Sequence, residues 1–183
     1  MKKLIIGLGN PGPEFRATPH NFGFQFLDQL QKFTKAPFFQ GDSALKAQLT
    51  ETEIEGVTII LAKPLTFMNK SGEAARLLKE KFGIDLEDIW VIHDDLDIPF
   101  GEFKIVCNRG SAGHKGVASI IQSLSSQNFC RLRLGAKFSN PTLNRQDFVL
   151  RKISFSQRLA LRKTIRQTIP IFIQQLKIKR KQP

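Results

Sequence analysis

The chain has three histidines, His20, His93 and His114, so a histidine acting as general base near neutral pH must be one of them. His20 lies in Thr18-Pro19-His20-Asn21, between an apolar run ending at Leu8 and an amphipathic segment starting near Phe22. His93 opens His93-Asp94-Asp95-Leu96-Asp97. In an extended chain His93 and Asp94 point to opposite faces, so they are not expected to pair with each other. Asp94 is better placed to orient a histidine from another segment, as a carboxylate does in hydrolytic triads. Asn10, in Gly9-Asn10-Pro11-Gly12, and Asn69, in Met68-Asn69-Lys70, each follow a run that reads as a strand. An imidazole, a carboxylate and two carboxamides suffice for ester or amide cleavage: the amides hold a carbonyl and a water, and the base deprotonates the water. Taken singly, each asparagine is better read as a turn residue bonded to its own backbone.

Rival chemistries fit less well. There is no G-x-S-x-G and no C-x-x-C, so an activated water is expected as nucleophile rather than a side chain. Asp94, Asp95 and Asp97 are carboxylates that suit Mg²⁺, but their spacing matches no named metal motif. Gly7-Leu8-Gly9-Asn10-Pro11-Gly12 formally matches the dinucleotide fingerprint. Pro11, however, lacks an N–H where pyrophosphate needs one. The acid expected about 20 residues on, at the end of a second strand, is absent, and Asp28 falls inside a helical pattern. The other reading is a tight turn that presents Asn10 at a strand's carboxyl end.

The elements that must position these groups follow from periodicity. Lys3–Leu8 reads as a first strand. Phe26, Leu27, Leu30 and Phe33 recur at helical spacing over residues 22–34. Leu45–Ile54 and Val57–Ala62 read as two strands broken at Glu55-Gly56; Ser71 is placed to cap a helix that Gly83 stops. Ile89–Ile92, Phe103–Cys107 and Arg131–Ala136 read as further strands. The Gly110–Gly116 loop leads into a helix carrying Val117, Ile120, Ile121 and Leu124. A last helix spans about Ser156–Leu176, with Pro170 marking a kink or break. Strands alternate with helices, so the expected fold is α/β: a single domain over residues 1–176 with a twisted mixed β-sheet flanked by helices, followed by a basic, mobile tail at 177–183.

Composition narrows the setting. Hydrophobic residues make up 41% and charged residues 24% of 183, ordinary globular usage that excludes a disordered, collagenous or disulfide-scaffold chain. No apolar run reaches the ~20 residues of a membrane span, and the short apolar stub after Met1 is not a signal peptide. Cys107 and Cys130 in a chain of this length point to a reducing compartment and to buried strand thiols, hence to a cytoplasmic protein. The net charge of +12 is uneven: residues 148–183 carry 10 basic residues and no acid. A one-signed stretch is either a solvated face or a surface for a polyanion. The lack of acids favours a nucleic acid, because an idle surface mixes signs.

Together these segments resemble the bacterial-type peptidyl-tRNA hydrolase family. The matching blocks are Gly7–Gly12, Thr18–Phe24, Lys63–Gly72, His93–Gly101, Gly110–Gly116 and Arg131–Gly135, in family order over about residues 3–170. The resemblance implies hydrolysis of the ester joining a peptide to the 3′ ribose of tRNA, by a monomer, without metal or cofactor and without a membrane partner. It makes His20 the general base and Asp94 its orienting partner. Asn10, Phe15, Met68, Asn69, His114 and Lys115 become substrate-binding residues, and Lys104 and Arg133 become tRNA-binding residues. The chain departs from the family pattern at Phe15 (usually Tyr), Pro19 (usually Arg), Val106 (usually basic) and Lys115 (usually Asn). An ammonium at Lys115 would oppose protonation of the base but stabilise a developing oxyanion. The alternative function is a non-catalytic or weakly active RNA-binding relative of the same fold; retention of Asn10, His20, Asn69 and Asp94 speaks against it.

Overall fold

The structure is a computed structural model that describes residues 1–138 and 145–177. Seven strands form one sheet in the order β2-β3-β4-β1-β5-β7-β6. They are β1 (Lys2–Gly7), β2 (Gln40–Asp42), β3 (Ala47–Ile54), β4 (Val57–Pro64), β5 (Ile89–Pro99), β6 (Phe103–Cys107) and β7 (Cys130–Lys137). β4, β1, β5 and β7 run parallel, while β2, β3 and β6 add antiparallel edges. The mixed sheet matches the sequence expectation.

Helices cover both faces because the central strands are apolar on both. On β1 and β5, Ile5, Trp90 and Ile92 face one layer, with α1 (Phe22–Thr34) and α5 (Phe155–Lys177). Leu4, Ile6, Ile89 and Val91 face the other, with α2 (Ser71–Phe82) and α3 (Lys115–Leu124). α4 (Arg145–Leu150) is a short helix before α5. The buried stripe Leu161, Ile165, Ile169, Phe172 and Leu176 docks α5. Phe172 meets Phe26 and Trp90 edge-on, with ring centres 5.4 and 5.2 Å away. Full burial of such a ring contributes roughly 2–3 kcal/mol.

Several expectations change. Pro170 does not break α5, which runs through it to Lys177. The stripe on both sides of Pro170 holds the helix down, and Pro170 and Arg166 are exposed, so the carbonyl that loses its partner can take water. Ser71 is the first helical residue rather than the cap; its hydroxyl donates to the Met68 carbonyl at 2.9 Å. The strand expected to end at Ile92 continues to Pro99, because β7 keeps pairing with it after β1 stops at Ile92. The expected free thiols are joined: Cys107 and Cys130 sit opposite each other on β6 and β7 and form a disulfide. That pairing removes the basis for inferring a reducing compartment from the cysteines. Among the described residues no helix is long and apolar enough to cross a membrane. The proposed tail, apart from Lys177, lies outside the described residues.

The candidate active site

The site opens where β1 ends. Leu8 still donates to the Ile92 carbonyl at 2.9 Å, and beyond it the chain leaves the sheet while β5 continues. This exposes the edge of β5 at Asp94, at the carboxyl ends of the parallel strands, where α/β sheets place their ligands.

His20 reaches this point from a 3-10 turn, Pro19–Asn21, directly ahead of α1. Pro19 starts the turn, where its fixed φ suits the geometry and its missing N–H costs nothing. Gly23 lets α1 sit against the sheet: a Cβ there would lie 2.3 Å from the Ile92 carbonyl oxygen and 2.4 Å from the Leu8 nitrogen. His20 Nδ1 thus comes within 3.0 and 3.1 Å of the two Asp94 carboxylate oxygens, across 74 residues of sequence.

Asp94 is almost fully buried and holds a second histidine. His114 Nε2 lies 3.0 Å from Asp94 Oδ1, while its Nδ1 accepts from the Val117 N–H at 3.3 Å and so caps α3. These partners fix the tautomers: a carboxylate only accepts, so His20 carries its proton on Nδ1 and His114 on Nε2. His20 then has its Nε2 lone pair available, whereas His114 has both nitrogens occupied within the protein. Burial by itself would raise the Asp94 carboxyl. The charge and hydrogen bonds of His114 and His20 outweigh it and hold the group well below the usual carboxylate range.

His93 does not pair with the Asp94 side chain, as its place on the opposite face requires. Its Nδ1 donates to the Asp94 backbone carbonyl at 2.6 Å, and its ring stands 4.6 Å from that of His114. It is fully enclosed, and among the described residues Nε2 has no hydrogen-bond partner. Burial, reinforced by His114, holds it well below the ordinary histidine value, in the neutral form.

Asn10 forms the opposite wall. Its backbone N–H donates to Asn21 Oδ1 at 2.9 Å and its carbonyl accepts from Asn21 Nδ2 at 3.0 Å. Its side-chain Oδ1 accepts from the Met68 N–H at 2.7 Å, so Nδ2 is what Asn10 can offer a ligand. The glycines around it serve packing instead of a dinucleotide. A Cβ on Gly7 would lie 2.5 Å from the Gly23 carbonyl oxygen, and one on Gly9 would lie 2.7 Å from the Phe24 ring. Met68 and Asn69 sit on a 3-10 turn, Met68–Lys70, with Asn69 exposed.

These groups line one cleft of about 610 Å³, walled by Asn10, His20, Asn69, Asp94, His114 and Lys115 among others. Phe67, Met68, Leu96, Val149 and Leu150 supply its apolar surface. Phe15 stands outside it, edge-on to Phe67 at 6.4 Å. Arg133 Nε donates to Asp95 at 2.7 Å, and exposed Lys104 is its register neighbour on β6. Asp95 is spent on Arg133 and the Asp97 N–H. His20, Asp94 and His114 do have ligand atoms within 4.8 Å of one another. That spacing could take a divalent ion, but the hydrogen bonds already account for it.

Some of this was not legible in sequence. Asn21 adjoins His20, yet nothing marks its side chain as the clamp on Asn10. Arg131 is buried and donates to the Arg109 and Gly110 carbonyls at 2.9 and 3.0 Å, pinning the glycine loop that carries His114. Val149 and Leu150 reach the cleft from α4, which no periodicity announced.

A family model described as peptidyl-tRNA hydrolase matches residues 4–182. A peptidyl-tRNA hydrolase of Aquifex aeolicus is 36% identical over 178 residues, covering 96% of this chain and 91% of the relative. The crystal structure of peptidyl-tRNA hydrolase from Acinetobacter baumannii superposes with a TM-score of 0.85 at 30% identity, covering 94% of this chain and 89% of that one. A peptidyl-tRNA hydrolase in complex with N-propanol gives 0.82 at 28% identity, covering 98% and 96%.

Proposed function

The chain belongs to the peptidyl-tRNA hydrolase family, and from that membership we propose that it hydrolyses the ester between a peptide and tRNA, with His20 activating the water. The observation that carries this reading is His20 Nδ1 bonded to the buried Asp94 carboxylate, which directs the remaining lone pair, on Nε2, to the reaction. Nε2 takes a proton from water, and the hydroxide adds to the ester carbonyl. The imidazolium so formed lies against Asp94, which offsets its charge. Asn10 Nδ2, with Asn69 and Lys115 on the same cleft, meets the developing oxyanion. Collapse of the tetrahedral intermediate breaks the ester C–O bond. His20 returns its proton to the departing ribose oxygen, leaving a tRNA with a free hydroxyl and a peptide carboxylic acid that loses its proton to solvent.

The apolar side of the cleft, with Phe67, Met68, Val149 and Leu150, suits the peptide. Arg133 and Lys104 suit tRNA phosphate, in keeping with the basic excess of the chain. His114 acts as a positioning residue for Asp94 rather than a substrate contact. The same reading places the enzyme in the cytoplasm as a monomer, where its substrate arises. The test is release of the acyl group from N-acetyl-aminoacyl-tRNA. Wild type turns over and His20→Ala falls by at least roughly a hundredfold. Inactivity of both, with RNA binding retained, would favour a binding-only relative.

A further inference from the structure

The loop between β6 and α3, residues 108–114, brings Ala112, Gly113 and His114 to the wall of the cleft. Its ends are tied. At one end Cys107 is joined to Cys130, and the Asn108 N–H donates to the Phe129 carbonyl at 3.2 Å. At the other, His114 caps α3 and its Nε2 meets Asp94. Between them, Asn108 and Ala112 each have a φ of 50°, in the left-handed region that a Cβ disfavours, so the loop needs outside ties to keep its shape. One comes from the sheet. The Nη2 group of Arg131 donates to the Arg109 and Gly110 carbonyls at 2.9 and 3.0 Å.

Arginine is an unexpected residue at this place. Cys130 and Leu132 pack into the core under α1 and α5, so strand alternation turns Arg131 toward the α2 and α3 side of β7. Its register neighbours there are Val91 and Val106. It is buried, and among the described residues its Nε has no hydrogen-bond partner. Burial and the neighbouring Arg133 work against its charge, with Asp95 offsetting them in part. An apolar side chain between two valines would avoid that desolvation and is often at least as stable. What the guanidinium adds is a rigid donor that reaches from the sheet to two successive carbonyls.

We propose that Arg131 is a positioning residue of the hydrolytic site: by holding the Arg109 and Gly110 carbonyls it fixes the loop that sets His114 against Asp94, and so keeps that carboxylate aligned on His20. The proposal rests on the hydrolase reading and deepens it. Asp94 Oδ1 lies 3.0 Å from both His114 Nε2 and His20 Nδ1. A His114 that shifts with its loop leaves the carboxylate free to rotate away from His20. Arg131 itself does not line the cleft, so its effect on the reaction passes through His114.

The test starts from Arg131→Met, which fills the same place without donors. Arg109 and Gly110 are exposed, so their carbonyls can turn to water, and the variant should melt close to wild type. On N-acetyl-aminoacyl-tRNA its kcat falls roughly ten- to a hundredfold, the size of loss that a misplacement of about an ångström causes. KM stays within about twofold, which separates positioning from a lost tRNA contact. Arg131→Lys, which keeps charge and donors, recovers most of the kcat. In a His114→Ala background Arg131→Met causes no further loss, because the residue it acts through is gone. An unchanged kcat in Arg131→Met, a loss undiminished in the His114→Ala background, or no recovery in Arg131→Lys would overturn the proposal. Should Arg131→Met fold poorly, Arg131→Lys alone is compared in the two backgrounds. A loss of about two- to fivefold that vanishes beside His114→Ala supports the positioning role; no loss, or the same loss in both, refutes it. If wild type leaves N-acetyl-aminoacyl-tRNA intact, the hydrolase reading fails, and the positioning is read by proton NMR. The His114 Nε2–H resonance, identified by its absence from His114→Ala, should be lost or broadened in Arg131→Met; its persistence unchanged would refute the proposal.

Discussion

Asn10 Oδ1 accepts a hydrogen bond of 2.7 Å from the Met68 backbone N–H, across 58 residues of sequence. A backbone N–H can only donate, so the bond fixes which end of the carboxamide faces the protein. It also ties the turn after β1 to the turn after β4, so that Asn10 and Asn69 are held on one cleft.

Replacing Asn10 by Asp keeps the acceptor for Met68 but removes the Nδ2 donor. The variant Asn10→Asp should fold with a near-normal melting temperature and lose roughly 10²–10³ in kcat. Asn10→Ala should lose activity and also about 1–3 kcal/mol of stability, because the buried Met68 N–H is left unpaired. Turnover of Asn10→Asp at the wild-type rate would remove Asn10 from the oxyanion's surroundings.

His93 makes stability depend on pH. Burial and the neighbouring His114 lower its folded pKa beneath the unfolded value of ~6.5. Its contribution is therefore fully present above that pH and is lost as pH falls toward the folded value, since the unfolded chain then binds the extra proton. Thermal melts of wild type should lose stability between about pH 7 and 5, and His93→Gln should show a flatter profile. Parallel profiles would contradict the assignment.

The disulfide Cys107–Cys130 closes a segment with a sequence separation of 23 and fastens edge strand β6 to β7. Chain-entropy arguments assign such a closure roughly 3 kcal/mol. Guanidinium unfolding with and without dithiothreitol should show a lower midpoint for the reduced protein. Identical midpoints, or two titratable thiols in the untreated denatured protein, would contradict the pairing.

Lys115 stands exposed at the start of α3 on the rim of the cleft. An exposed ammonium is screened by water, so its help to an oxyanion is smaller than that of a buried donor. Lys115→Asn should lower kcat by about tenfold or less. Unchanged turnover would mean that Lys115 has no part in the chemistry.

The sheet was readable because its strands are short apolar runs bounded by glycine, proline and acids, and α1 because its apolar residues keep helical spacing. The strand β5 was undercounted because Asp94, Asp95 and Asp97 look like a loop. Only the partners His20, His114 and Arg133, supplied by other segments, make acids tolerable there. Pro170 does not break α5 because propensity is local, whereas the stripe that holds α5 is tertiary. The catalytic candidates were visible as residue types after strand ends. The roles of Asn21, Arg131 and the second histidine on Asp94 were not, since each depends on a long-range contact that leaves no spacing in the chain. The disulfide was missed for the same reason: the pairing follows from β6–β7 register, not from cysteine count.

The most direct test treats His20 and Asp94 as one unit. Single-turnover hydrolysis of N-acetyl-aminoacyl-tRNA should be measured for wild type, His20→Ala, Asp94→Asn and the double variant. If Asp94 acts through His20, Asp94→Asn alone is slowed by roughly 10³–10⁴, and the double variant is no slower than His20→Ala. Two losses that multiply in the double variant would contradict the pairing as the source of catalysis.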